Sequence, residues 1–322
     1  MFPAVIGHDT IKEKLGTLLS RGSAGTYLFH GPPSVGKRTM AFELAKAILC
    51  LDKTTLRELG ECSCKSCKKF YIGHPDFLCI GQHETIKVSD VDSILDFTSL
   101  SSLLSNEKVI VIDNAQDITW EAANRLLKVL EEPPPKISFF LITPDPNALI
   151  PTILSRCIKY EFGTLSREEL TNIIWKKLGF DLPQAQVLGW LASDSSFDVF
   201  AKAGHYLKYR NLAYEFLAGV KTRDLSDSLD FVDKVDRQDL GIFADMLVIV
   251  ITDLLLLCNK IKAITNVDLV EPLEKLASMF KDRALVACVA TFSQVKKDSY
   301  LNINLSMVLK NTIIKTHPLF ID

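Results

Sequence analysis

The chain has 322 residues, 48% of them hydrophobic and 24% charged, a balance that excludes a disordered or low-complexity protein. Its formal net charge of −2 excludes attraction of the whole molecule to nucleic acid or to an anionic membrane, so contact with DNA must come from a local patch or through partners. At about 100–200 residues per domain, two or three domains fit.

The opening stretch "MFPAVIGHDTIKEKL" lacks the apolar core of a signal peptide, which leads us to expect a cytoplasmic protein. "TYLFH" (26–30) reads as a buried strand that runs straight into the loop "GPPSVGKRT" (31–39). After the loop, Ala41, Leu44, Ala45 and Ile48 recur at helical spacing. "DFLCI" (76–80), "KVIVID" (108–113) and "ISFFLIT" (137–143) are further strands. Val91, Ile94, Leu95 and Thr98 predict a helix between the first two, and Ala123, Leu126, Leu127 and Leu130 another over about 120–132, stopped by the prolines at 133–135. This alternation predicts an α/β domain with a mostly parallel sheet. From "LSREEL" (165–170) the strand signals vanish, Ser166 and Glu169 fit a capping box, and helices run to the C-terminus with a break near 203–210. The apolar run "LGIFADMLVIVITDLLLLC" (240–258) is interrupted by Asp245 and Asp253, which predicts a buried helix of an all-α domain in place of a membrane span.

Gly31, Gly36 and Lys37 match the phosphate-loop pattern G-x4-G-K-[ST], in which backbone amides and a helix N-terminus cradle phosphates and the lysine reaches the terminal ones. The next residue should supply a hydroxyl to magnesium. Here it is Arg38, and the hydroxyl of Thr39 lies about 100° further round the helix. Asp113 ends an apolar strand as the second hydrolysis element should, but the next residue, where a carboxylate would orient the attacking water, is Asn114, an amide that cannot act as a base. These defects fall in both halves of one mechanism and predict a dead or very slow ATPase; whether nucleotide still binds is left open. Cys50, Cys62, Cys64 and Cys67 crowd into one segment, and four thiolates with a C-x2-C pair predict a structural zinc site. His74 beside them reads as structural, Lys65, Lys68 and Lys69 as a solvated face, and Cys79, Cys157, Cys258 and Cys288 as packed thiols.

"GPPSVGKRT", "VIVIDNAQ", "AANRLLKVLEEPP" and "LIPTILSRC", with "VIGHD", "CSCKSCKKF" and "HPDF", occur in the order and spacing of bacterial DNA polymerase III clamp-loader subunits, which are AAA+ proteins. The chain resembles that family densely over residues 1 to about 162. Within it the chain looks like the delta-prime type, because the gamma/tau motor pattern has Ser or Thr at the position of Arg38 and Glu at that of Asn114. The resemblance implies a AAA+ core at 1–162 with a zinc module at 50–67, a helical lid at 163–206 and a helical collar at 207–322. The family's cysteine pattern is one residue longer at Cys62 than the C-x-C-x2-C found here. Arg156 in "SRC" matches an arginine finger that acts in trans on a neighbour's ATP, and Thr143 matches the first sensor position of the nucleotide site. No second-sensor arginine is visible: Arg167 comes too early, and "SDSSFDVFAKAG" (193–204) offers Asp198 and no arginine. The implied role is that of a non-motor component of the DNA polymerase III holoenzyme. Its implied partners are gamma/tau and delta subunits, with the sliding clamp and primer–template DNA met through the assembly and no membrane. The rival readings are an ATP-hydrolysing motor subunit of the same machine and a zinc-containing DNA-binding module on a decayed AAA+ fold.

Overall fold

Runs of Val, Ile, Leu and Phe unbroken by polar residues belong in strands covered on both faces. The computed structural model, which describes residues 2–81, 85–192, 196–298 and 304–321, places them so. Two units are present, Met1–Leu165 and Ser166–Asp322.

In the first unit α1 (Asp9–Arg21) precedes β1 (Gly25–His30), and α2 (Lys37–Leu49) follows the glycine loop. Two short helices, α3 (Lys53–Leu59) and α4 (Lys65–Gly73), carry the cysteine segment. The remainder alternates: β2 (Phe77–Ile80), α5 (Val88–Ser99), β3 (Lys108–Ile112), α6 (Trp120–Glu131), β4 (Ile137–Thr143), α7 (Pro151–Leu154) and β5 (Ile158–Glu161). The five strands pair in parallel in the order β2-β3-β4-β1-β5.

Alternate residues of each strand feed opposite cores, as the period of two requires. Tyr27, Phe29, Val109, Val111 and Phe140 pack with Met40, Leu44 and Ile48 of α2. Leu28, Ile110, Ile112, Phe139 and Leu141 pack with Val91 and Ile94 of α5 and Leu126 and Leu130 of α6. Because all strands are parallel, one edge of the sheet collects their carboxyl ends. His30, Asp113 and Thr143 therefore gather where a doubly wound sheet offers its crevice.

The strands expected at 26–30, 76–80, 108–113 and 137–143 are present to within a residue, whereas β5 had no sequence signal. Its "IKYE" is a largely exposed edge strand, so it shows no alternation of apolar and polar residues.

In the second unit every described element is helical. α8 (Arg167–Ile173) opens on the expected capping box: Glu169 N donates to Ser166 Oγ (3.2 Å), and Ser166 N to Glu169 Oε2 (2.7 Å). α9 (Leu182–Ala192), α10 (Ser196–Gly219), α11 (Leu225–Asp230), α12 (Leu240–Cys258), α13 (Val270–Ala277), α14 (Asp282–Asp298) and α15 (Leu305–Ile321) follow. α12 is the apolar run; Phe243, Leu247, Val250, Ile251 and Leu254 are fully buried as it packs against α10 and α14. Asp253 is buried with them, and its carboxylate accepts the amides of Thr265 and Asn266 and the Asn266 side-chain amide. α10 runs across the expected 206/207 boundary, and its backbone leaves helical geometry only at Lys202. The second-sensor stretch lies partly outside the described residues, at 193–195, and the Asp198 side chain is likewise not described.

Candidate functional site

The glycine loop has the backbone of a phosphate loop. Gly31 has φ +133°, and a Cβ there would sit 2.0 Å from the Phe162 carbonyl oxygen, so only glycine fits. Gly36 caps α2 in the left-handed region, with φ 99°. His8, from the "VIGHD" stretch, holds the loop from outside through its Nε2 and the Val35 carbonyl (2.8 Å). Lys37 is turned inward and is buried. Its ammonium donates to Gly31 O (2.6 Å) and Pro32 O (2.5 Å), the carbonyls of its own loop. Burial lowers its pKa to about 8, while the Asp113 carboxylate acts in the opposite sense.

Arg38 leaves the helix on the other side and meets Asp113, Nε to Oδ2 at 3.4 Å. Its guanidinium lies over the Phe42 ring, 5.3 Å from the centroid and one turn along α2. Asp113 is buried, and its Oδ1 also accepts the Asn114 amide (3.1 Å). Asn114 has φ 49° and donates from Nδ2 to the Gly81 carbonyl (3.1 Å). Thr39 is half-buried on α2. Thr143 is fully buried, and its hydroxyl donates to Asp145 O (2.9 Å), its own loop.

The AAA+ pattern calls for a magnesium ion held by a hydroxyl and a carboxylate, and these residues do not fit it. The carboxylate faces a guanidinium instead. A divalent cation about 4 Å from that charge would meet a repulsion of up to about 8 kcal/mol at an effective dielectric near 20.

The cysteine cluster is the opposite case. The four Sγ atoms of Cys50, Cys62, Cys64 and Cys67 lie within 4.8 Å of one another, and this set could hold a metal ion. Cys50 ends α2, and Cys64 caps α4 with its sulfur accepting the Cys67 amide (3.5 Å). Cys62, where the spacing is one residue short, is drawn in because the Cys64 amide donates to its sulfur (3.4 Å). Burial raises the Cys50 thiol to about 11 and pushes the Cys67 thiol up as well. Burial acts on Cys64 in the same sense, but amide hydrogen bonds from Cys67 and Leu51 outweigh it and bring that thiol down to about 6.

Behind the sulfurs, Ser66 donates to Leu49 O (2.7 Å) and contacts His74 Nε2 (2.9 Å), while His74 Nδ1 accepts the Asp76 amide (3.0 Å). The accepting Nδ1 places the ring proton on Nε2, so His74 is a buried hydrogen-bond link in the structural role read from the sequence. The Asp76 carboxylate, whose part the sequence did not suggest, accepts the amides of Leu103, Leu104 and Ser105.

Arg156 stands between α7 and β5. Its guanidinium donates to Thr152 O (2.8 Å) and Glu131 Oε2 (2.9 Å), and its Nε is buried without a hydrogen-bond partner. Glu131 could not be read from the sequence as its ion-pair partner, because the two come from different elements. Parallel strands fix where this arginine lies. It precedes β5, at the amino edge of the sheet, whereas Gly31 and Asp113 follow their strands and Thr143 ends its own, at the carboxyl edge. The strand between spans roughly 13 Å at ~3.3 Å per residue. Neighbouring Cys157 donates to Ile153 O (3.2 Å), and burial raises its thiol to about 11, so it is an inert packed thiol.

Residues 7–166, which carry the glycine loop, the cysteine cluster and Arg156, match the family described as "DNA polymerase III, delta subunit". The chain belongs to the DNA polymerase III clamp-loader family. Among curated relatives, this clamp-loader chain is 36% identical to the delta' subunit of Pseudomonas aeruginosa over 140 residues, which is 42% of each chain. It is 33% identical to the tau/gamma subunit of Haemophilus influenzae over 173 residues, covering 53% of this chain and 25% of that one. With the gamma subunit of Buchnera aphidicola it shares 31% over 211 residues, 63% of this chain and 58% of the relative. The clamp-loader chain thus spans a quarter to rather more than half the length of the relatives it matches.

Proposed function

We propose that this chain is the delta-prime-like, non-motor subunit of a DNA polymerase III clamp loader, with no ATPase of its own, offering Arg156 in trans to an adjacent motor subunit. The observation that carries this reading is the placement of Arg156 at the amino edge of the sheet. There it is remote from the chain's own glycine loop, and its side chain is part-exposed, 27%, beside the Glu131 carboxylate. A guanidinium stays charged and presents a planar fork of donors, which suits the terminal phosphate of a neighbour's ATP. The Arg38–Asp113 pair supports the non-motor part, since it leaves no metal site and Asn114 is no base.

The rest follows from that role. The four cysteines hold a structural zinc, whose tetrahedral preference four thiolates satisfy. The second unit supplies a lid and then a collar that joins gamma/tau and delta subunits, with α12 at the heart of the collar. Sliding clamp and primer–template DNA are met through the assembly, in the cytoplasm.

The test is clamp-loader ATP turnover with Arg156→Ala. The variant is expected to fold and assemble, and turnover at the one site facing it to fall; arginines acting in trans are worth roughly 10³–10⁵ in well-known GTPases. Arg156→Lys is expected to restore little. Unchanged turnover with Arg156→Ala would leave the residue as the ion-pair partner of Glu131 and nothing more. A second reading, a gamma/tau-like motor, is favoured by the likeness to tau and gamma chains. Phosphate release by the isolated chain that vanishes on Lys37→Ala would establish it.

A further inference from the structure

In a AAA+ site the carboxylate that ends the strand facing the phosphate loop needs a positive partner, and an exchangeable metal supplies it. Here Asp113 is buried, and Lys37 is committed to the carbonyls of Gly31 and Pro32. Arg38 is the cation that meets Asp113 among the described residues, and it is held from two directions, by Asp113 Oδ2 and by the face of Phe42. The Phe42 contact steadies the guanidinium from the next turn of its own helix, while 47% of the Arg38 side chain stays exposed.

We propose that Arg38 is the permanent cation of this site: its guanidinium replaces the divalent metal at Asp113 and ties the start of α2 to the end of β3. A charge that was exchangeable has become covalent. The loop then keeps its shape whatever the magnesium concentration, and no divalent ion enters. Arginine suits this task because it does not lose its proton at any pH a cell reaches. The pairing is a property of this chain alone, so its test is separate from that of the clamp-loader role.

The test uses the full chain and Mn²⁺ alone, with the free aquo ion followed by electron paramagnetic resonance. Wild type and Arg38→Lys are expected to show no Mn²⁺ binding that depends on Asp113. Arg38→Thr restores the hydroxyl of the phosphate-loop pattern and is expected to gain one Mn²⁺ site, lost again when Asp113→Asn is added. Wild-type binding abolished by Asp113→Asn would overturn the proposal, as would an Arg38→Thr chain that gains no site. Should Arg38→Thr fail to fold, Arg38→Gln and Asp113→Asn form a double-mutant cycle of thermal midpoints. The double variant is expected to lose less than the sum of the singles, whereas additive losses would mean that the two groups do not act as a pair.

Discussion

The glycine loop and the cysteine cluster are joined by a single helix, α2, and have opposite histories written in their residues. The loop keeps the shape of a ligand site: a left-handed glycine before the helix, a lysine behind it, a carboxylate across from it. Its chemistry has been turned inward, each charged group satisfied by another part of the chain. The cluster departs from its family's spacing by a residue, yet keeps all four donors together. Retained spacing is therefore a poor guide to which groups still face a ligand, and a donor set that converges in space is a better one. A loop survives on backbone geometry, which a handful of glycines secure; a metal site survives only if every ligand still reaches.

The comparison breaks most readily at the cysteines. Replacing Cys64 and Cys67 by serine is expected to abolish metal content, which should be about one zinc per chain in protein purified without chelator. It should also unfold the segment from Cys50 to His74. Metal and local fold are linked, and structural zinc contributes about 10–16 kcal/mol of apparent binding free energy in small zinc-finger peptides. Elemental analysis together with hydrogen exchange over α3 and α4 checks both. Unchanged metal content would remove the cluster from the argument.

A smaller effect is expected from Gly31→Ala. The added methyl meets a backbone oxygen, the Phe162 carbonyl, which cannot move without displacing the end of β5. The loss should be about 2–4 kcal/mol in urea unfolding. A neutral result would show that the loop's shape is not what the fold conserves.

The smallest expected effect is a pH dependence set by Lys37. Its folded pKa of about 8 lies below the ordinary lysine value of 10.5, so the folded chain gives up its proton first. The stability due to this group is fully present above the unfolded value and is lost as pH falls through about 8, so stability should climb between pH 8 and 10.5. The shift amounts to at most about 3 kcal/mol at roughly 1.4 kcal/mol per unit, and solvent around the loop will reduce it. Lys37→Met should flatten that climb relative to wild type. Parallel profiles would mean that the ammonium is not held as described.

Much of this was legible in the sequence because two-sided burial leaves a strong mark. "KVIVID" and "ISFFLIT" hold the unbroken apolar runs "VIVI" and "FFLI", and both are interior strands. β5 was missed since an exposed edge has no apolar requirement. α3 and α4 were missed because the cysteines, lysines and serines of that segment carry no helical period. The glycines, Lys37 and the defect at Arg38 could be read from a motif, but the destination of Arg38 could not. Its partner Asp113 is brought near by the pairing of strands, as Glu131 is brought to Arg156. Cys62 taught the reverse lesson: a count of residues made it the odd ligand, and a single amide hydrogen bond from Cys64 brings it in.

Asp253 has a consequence for how the second unit folds. A carboxylate in the middle of so apolar a helix is a barrier to burying that helix early, because its charge has no compensation until the backbone of Thr265 and Asn266 arrives. Docking of the 265–266 turn and burial of α12 are thus one event and not two. A chain ending at Thr265 would lack two of the three amide donors to Asp253, so the packing of its most apolar helix depends on a short turn that follows it in sequence.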